Sequence, residues 1–349
     1  MSILLLQADA RQIPLADKSI QCVVTSPPYY GLRDYGVDDQ LGLEPTLDEY
    51  IENTLLWTRE VWRVLRDDGT FWLNIGDSYA GSGGPGSFVD NKQTDKFKDK
   101  FEKYINPNRN QAGFKPKDLM GVPWRVALAL QADGWYLRSD IIWHKPNPMP
   151  ESVRDRPTKS HEYIFLLTKS PKYFYDADAI KEKSITNENR PAGIVRDRVY
   201  EYDSKQAVLR SQRDSFKRSN NKNPHGDNPQ KRENRKEDNW NTDYRNKRTV
   251  WTITTKPYSG SHFATFPPEL PETCIKAGTK PGDTILDPFG GSGTTAMVAQ
   301  ALGRNAVHLD ISAEYLELAR ERTNMKALDE WQNGIQVEAA NLDGLPMFS

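Results

Sequence analysis

The apolar positions along this chain follow two different rhythms that alternate. "ILLLQAD" and "QCVVTS" are short, continuous apolar runs bounded by polar residues, the pattern of strands buried on both faces. "LDEYIENTLLWTREVWRVL" instead sets Tyr50, Ile51, Leu55, Leu56, Val61 and Leu65 at helical spacing and stops at "RDDG". "GTFWLNIGD" is a further strand. "PWRVALALQADGW" predicts a helix ended by Gly134, and "YLRSDIIWHK" and "HEYIFLLTK" predict strands joined by the proline-rich "PNPMPESVRDRPTKS". Past residue 250 come a helix around "PPELPETCIKA", a strand "DTILDPF", a helix "GTTAMVAQALG", a strand "NAVHLDIS" and a helix "AEYLELARERT". Strand and helix in turn predict an α/β fold.

Three stretches lack either rhythm. Residues 81–117 carry glycine punctuation and many lysines, which predicts a long mobile loop at a functional mouth. Residues 177–249 are Asn-rich and poor in apolar side chains, and residues 326–349 form a tail without a strong pattern.

Charge separates the middle stretch from the rest. The 349 residues have a formal net charge of -1, yet from Lys181 to Val250 there are 18 Lys and Arg against 11 Asp and Glu. A basic insert on an acidic body is an electrostatic footprint for nucleic acid. Cys22 and Cys274 lack metal-like spacing to any partner, so neither a disulfide framework nor a metal site is expected, and a reducing cytoplasm fits. "MSILLLQADAR" has no basic region before its apolar run, so no signal peptide is expected, and no stretch approaches a membrane span.

Two motifs carry chemistry. In "TILDPFGGSGTTAMVAQALGRNAVHLDIS" a strand ends at Asp287, Gly290, Gly291 and Gly293 allow a tight turn that a ligand can approach, and Thr294 opens a helix. The next strand ends at Asp310, 23 residues after Asp287. This order suits a nucleoside cofactor at the carboxyl ends of parallel strands, with an acid receiving the ribose hydroxyls. In "QCVVTSPPYYG" a strand runs into Pro27 and Pro28, which remove two N–H donors. Acceptors remain: the carbonyls near Ser26 and Pro27, and the Ser26 hydroxyl. Tyr29 adds a flat ring, and stacking needs only its face. An extruded base with an exocyclic amino group needs both features.

"TSPPY" at 25–29 and "DPFGGSGTT" at 287–295 resemble the catalytic and cofactor motifs of DNA amino-methyltransferases that use S-adenosyl-L-methionine. With the catalytic motif first, the basic insert next and the cofactor motif last, the order resembles their permuted β group. The resemblance implies a Rossmann-like sheet of seven strands with helices on both faces, a catalytic half at 1–176, a target-recognition insert at 177–249 and a cofactor-binding half at 250–325. It implies that Ser26, Pro27, Pro28 and Tyr29 hold the flipped base. Asp287, Pro288, Phe289, Gly291, Ser292, Gly293 and Thr294 would cradle the methionine part of the cofactor, with Thr25 beside them, and Asp310 would bind the ribose. Asp9 matches the family's acid near the adenine, and "SHFATFP", with His262, Phe263 and Ala264, resembles a further cofactor segment. One departure is Asp310, where the family often has glutamate.

The expected reaction is direct methyl transfer to an exocyclic amino group of duplex DNA. Ser before the two prolines is commoner among cytosine-N4 enzymes, with adenine N6 as the alternative. Methylation at cytosine carbon 5 needs a nucleophilic cysteine, which neither Cys22, in a strand, nor Cys274, on a helix, supplies. A DNA-binding module with a dead site is the competing reading of another class, and the complete "TSPPY", Asp287 and Asp310 argue against it. A homodimer and a cognate restriction endonuclease both remain open as partners.

Overall fold

The computed structural model describes residues 2–32, 40–80, 113–184, 244–255 and 266–323. The chain divides into two compact units, residues 1–180 with 248–349, and residues 181–247. The predicted 81–117 loop, save 113–117, and the tail lie outside the described residues, as do 185–243 of the insert.

The first unit is built on one mixed sheet. Its strands are β1 (Ile3–Gln7), β2 (Ile20–Thr25), β3 (Leu65–Ile75), β4 (Tyr136–His144) and β5 (His161–Thr168), then β8 (Val250–Thr252), β9 (Thr284–Asp287) and β10 (Asn305–Asp310). Two further strands, β6 (Glu182–Lys183) and β7 (Tyr244–Arg245), belong to the second unit and pair antiparallel. The order across the sheet is β1-β10-β9-β2-β3-β5-β4-β8. The first five in that order run parallel, and β5 is antiparallel to both β3 and β4.

Every residue of β2 is buried, as a continuous apolar run predicts. Its alternate side chains enter two cores. Val23 joins Phe71, Leu73 and Leu286 beneath helices α1 (Leu47–Val64) and α2 (Val122–Ala132). Cys22 and Val24 join Trp72 and Ile285 on the opposite face. That face is covered by α3 (Glu269–Gly278), α4 (Thr294–Ala301) and α5 (Ala313–Thr323). Helix α1 starts at a capping box, in which Thr46 Oγ1 accepts from the Glu49 N–H and Glu49 accepts from the Thr46 N–H. It buries Leu47, Tyr50, Trp57, Val61 and Val64, while Leu56 points to solvent at 48% exposure. Leu65 and the "RDDG" expected to end the helix already belong to β3.

The sheet has eight strands rather than the expected seven. The extra one, β8, pairs parallel with the end of β4, from Ile142 against Val250 to His144 against Thr252. It forms because Trp251 is a core residue. The ring is 3% exposed, lies 6.2 Å from Trp72 and donates from Nε1 to the Arg248 carbonyl at 2.8 Å. Trp251 therefore packs rather than standing ready for DNA. Trp240 lies outside the described residues.

The chain leaves β9 for β10 in one direction across the sheet and leaves β2 for β3 in the other. The strand order thus reverses between β9 and β2, and a crevice opens at their carboxyl ends, where open α/β sheets bind ligands.

Candidate active site

The two motifs, more than 250 residues apart in the chain, meet at that crevice. The contact is a buried carboxylate. Asp287, 2% exposed, accepts from the Thr25 hydroxyl at 2.7 Å, the Thr295 hydroxyl at 2.6 Å and the Phe289 N–H at 3.2 Å. It ties the end of β2 to the end of β9 and to the first turn of α4. Burial pushes its pKa up to about 6, against the pull of the two hydroxyls and the N–H.

The glycine turn divides into packing and open positions. A Cβ on Gly290 would lie 2.1 Å from His308 Nδ1, and one on Gly293 would lie 2.9 Å from the Ala319 Cβ. Those two glycines let the turn settle onto the fold, rather than opening it to a ligand as the sequence suggests. A Cβ on Gly291, at φ +51°, would meet nothing within 4 Å, so the open side of the turn is there. Its N–H donates to Asp310 Oδ2 at 2.9 Å, and the Ser312 N–H donates to Asp310 Oδ1 at 2.9 Å. Burial raises the Asp310 pKa, with these N–H groups pulling the other way. Ser292 and Thr294 turn inward, where one Arg322 nitrogen donates to Ser292 Oγ at 2.5 Å, the Ser292 carbonyl at 2.9 Å and Thr294 Oγ1 at 3.1 Å. Pro288 is buried, and half-buried Phe289 stands 5.0 Å edge-on from Trp57. Asp9 lies just past β1, next to the end of β10, and pairs with Arg11 at 2.7 Å. Burial raises its pKa, but the hydrogen bonds and charge of Arg11 outweigh that and hold it below the usual carboxylate range. His262, Phe263 and Ala264 lie outside the described residues. An acid at each of three adjacent strand ends beside an open glycine position fits a nucleoside cofactor.

At the end of β2 the acceptor excess is real but unevenly placed. The Pro28 carbonyl is taken by the Tyr50 hydroxyl at 3.0 Å. The carbonyls of Ser26 and Pro27 accept no hydrogen bond among the described residues. Tyr29 lies over Gly76, where a Cβ would come within 2.6 Å of its Cε2. Its hydroxyl donates to Glu162 Oε2 at 2.7 Å and accepts from Asn74 Nδ2 at 2.7 Å and from the Ser26 hydroxyl at 3.1 Å. Asn74 Nδ2 also reaches Ser26 Oγ at 3.2 Å and Glu162 Oε2 at 3.1 Å, and Lys145 binds the other Glu162 oxygen. Lys159, at the same edge, donates to the Asp77 carbonyl at 2.7 Å, and burial lowers its pKa. Tyr30 points the other way and is core, 1% exposed and 5.3 Å from Tyr50. Cys22 is buried, and burial pushes its thiol up to about 12, which leaves no thiolate nucleophile there.

Asn74, Lys145, Glu162 and Arg322 were not singled out from the sequence. Glu162 and Asn74 had a faint signal, as a carboxylate opening the apolar run "HEYIFLL" and an amide closing "TFWLN". Arg322 had none.

A mixed α/β sheet with acids and a glycine turn at the switch point of its parallel strands defines a nucleoside-cofactor enzyme of the methyltransferase type. Residues 20–321 match the N6/N4 DNA methylase family, and the chain belongs to it. It is 46% identical over 316 residues to the Type II methyltransferase M.SmaI of Serratia marcescens, covering 90% of this chain and 88% of that one. It is 42% identical over 333 residues to M.Cfr9I of Citrobacter freundii, covering 93% and 87%. The fold is shared with PvuII DNA methyltransferase (cytosine-N4-specific) at a TM-score of 0.57 and 18% identity, over 96% of this chain and 91% of that one. A putative DNA modification methylase of Thermus thermophilus, solved with S-adenosyl-L-methionine, shares it at 0.52 and 20%, over 93% of each.

The Asp287 carboxylate sets a pH dependence. With a folded pKa near 6 and an unfolded value near about 3.9, the folded chain binds the extra proton between those values. Stability contributed by this group is therefore greatest at the acid end and declines as the pH rises from about 4 to 6. Urea unfolding of the wild type and Asp287→Asn across that window should show the gap between them shift by on the order of 2 kcal/mol. Parallel pH curves would show that Asp287 is ionised throughout.

Proposed function

We propose that this protein methylates an exocyclic amino group of a base extruded from duplex DNA, with cytosine N4 favoured over adenine N6. The observation that carries this reading is the fixed adjacency of the two strand ends. Thr25 and Asp287 hold an acceptor-rich, donor-poor "SPPY" beside an open glycine turn and a ribose-type acid. Family membership and the Type II methyltransferase relatives support DNA as the substrate. Ser26 ahead of the prolines favours cytosine, as does the cytosine-N4-specific protein that shares the fold.

S-adenosyl-L-methionine, when bound, supplies an electrophilic methyl group on a sulfonium. Gly291 would give its adenosyl-methionine chain room against the backbone, and the Asp310 carboxylate, which holds the backbone N–H groups of Gly291, Ser312 and Ile311, would use its remaining acceptor capacity for a ribose hydroxyl. The exocyclic nitrogen is a poor nucleophile because its lone pair is delocalised into the ring. The Ser26 hydroxyl oxygen and the Pro27 carbonyl accept its hydrogens and turn that lone pair toward the methyl, so positioning is the main contribution. The Tyr29 ring stacks on the extruded base.

We assign target recognition to the basic insert. Its ends come together in the β6–β7 ladder, where Arg245 also pairs with Glu182 at 2.8 Å, so the segment leaves and rejoins the chain at one place. A homodimer and an accompanying restriction endonuclease fit this reading, and size-exclusion with light scattering, and sequencing of the neighbouring genes, decide them.

Nucleoside mass spectrometry of duplex DNA methylated by the protein should show N4-methylcytosine; N6-methyladenine alone would reverse the base assignment, and no methylated base would remove the function. Asp310→Ala should weaken S-adenosyl-L-methionine binding by about 1–3 kcal/mol in titration calorimetry, the scale of lost charge-assisted hydrogen bonds. Unchanged affinity would take Asp310 out of the site. Duplex binding should fall steeply with salt, and removal of residues 181–247 should abolish it while cofactor binding persists. A folded truncated chain that binds duplex as well as before would move recognition elsewhere.

A further inference from the structure

We infer that Glu162 takes up the proton released by methyl transfer, reached from the base through the hydroxyls of Ser26 and Tyr29. The inference rests on the amino-methyltransferase reading and deepens it.

The hydrogen-bond chemistry gives the chain of groups a direction. Tyr29 Oη has Asn74 Nδ2, Ser26 Oγ and Glu162 Oε2 around it. The amide nitrogen can only donate and the carboxylate can only accept, so the phenol proton goes to Glu162 at 2.7 Å. The phenol oxygen is thereby left to accept, and Ser26 donates to it at 3.1 Å. Ser26 Oγ accepts from Asn74 at 3.2 Å with one lone pair and keeps the other. That lone pair is the open end, on the residue that begins the base-holding "SPPY". The far end is Glu162, on a different strand, with 17% of its side chain exposed and its second oxygen held by Lys145.

The step balances without any further reactant. The exocyclic nitrogen forms its bond to the methyl carbon with its lone pair, the sulfur–methyl bond breaks with its electrons staying on sulfur, and the nitrogen becomes cationic. A proton passes from that nitrogen to Ser26 Oγ as the Ser26 proton passes to Tyr29 Oη and the Tyr29 proton to Glu162 Oε2. Both hydroxyls end as they began, the methylated base is neutral and Glu162 is a carboxylic acid, which gives its proton to solvent at its exposed edge. Before that transfer, the carboxylate stabilises the positive charge as it grows on nitrogen. The charged and titratable groups around Glu162 are Lys145, Lys159, Tyr29 and His161, with Asp77 beyond Lys159.

The test uses the full-length protein with a cognate duplex under single-turnover conditions, together with equilibrium binding of duplex by anisotropy and of S-adenosyl-L-methionine by calorimetry. Glu162→Gln keeps an acceptor for the Tyr29 hydroxyl but not the charge. It should bind both ligands as the wild type does and methylate about one to two orders of magnitude more slowly, close to Glu162→Ala. Its rate should also depend on pH differently from that of the wild type. Tyr29→Phe keeps the ring and cuts the path; it should be comparably slow, and the double variant no slower than either single one. Glu162→Gln at wild-type rate with an unchanged pH profile would mean that Glu162 only positions Tyr29, and singles whose effects multiply would mean that the two do not share a path. Either result overturns the inference while leaving the function intact; a wild type that transfers no methyl group to any duplex overturns both.

Discussion

The site depends on one buried carboxylate. Taking Asp287 out of water is costly, and burial keeps its pKa raised against the pull of its hydrogen bonds. The cost is offset in part because the carboxylate accepts from Thr25, Thr295 and the Phe289 N–H at once. Each partner belongs to a different part of the site. Thr25 is the last residue of β2, immediately before Ser26. Thr295 lies in the first turn of α4, and Phe289 begins the glycine turn. A single group therefore sets the spacing between the strand end that, in the proposed function, holds a base and the glycine turn that would hold a methyl donor. In a reaction governed by positioning, that spacing decides the rate.

This tie also explains why the chain order is immaterial. β2 and β9 are neighbours in the sheet, while the basic insert and four other strands of that sheet separate them in sequence. The strand order reverses between them, so the crevice exists whichever half is made first. What the permuted order requires is a long connection, and the chain places its polar, basic segment there. Among the described residues the insert adds only the two-residue ladder of β6 and β7.

The α/β rhythm and both motifs were legible because each is written in local pattern. A continuous apolar run reads as β2, prolines and glycines mark where strands stop, and acids at 287 and 310 close two strands. The failures share a cause, which is that distant contacts leave little local trace. Gly290 and Gly293 read as room for a ligand, but His308 and Ala319, each remote in sequence, make them packing positions. Trp251 follows a basic segment, and nothing local shows that its ring completes the core under β4 and brings an eighth strand to the sheet. Glu162 lies 133 residues from Tyr29, and only the antiparallel pairing of β5 with β3, Ile75 against Tyr163, brings its carboxylate to the catalytic edge.

That pairing bears on how the pocket can be both acceptor-rich and attractive to a polyanion. Carbonyls at Ser26 and Pro27 and the carboxylate of Glu162 make a local excess of negative potential, which suits an amine but repels phosphates. Lys145 and Lys159 lie at the same edge and offset it, one bound to Glu162 and one to the Asp77 carbonyl. Lys159 stays close despite a desolvation cost that lowers its pKa. The charge of Glu162 is also kept one phenol away from Ser26, since Tyr29 stands between them. A carboxylate placed directly against the base would be stripped of water each time substrate entered. Set behind Tyr29 and paired with Lys145, it has already met that cost in folding, so the pocket can be filled by a flat, neutral ring without uncovering a bare charge.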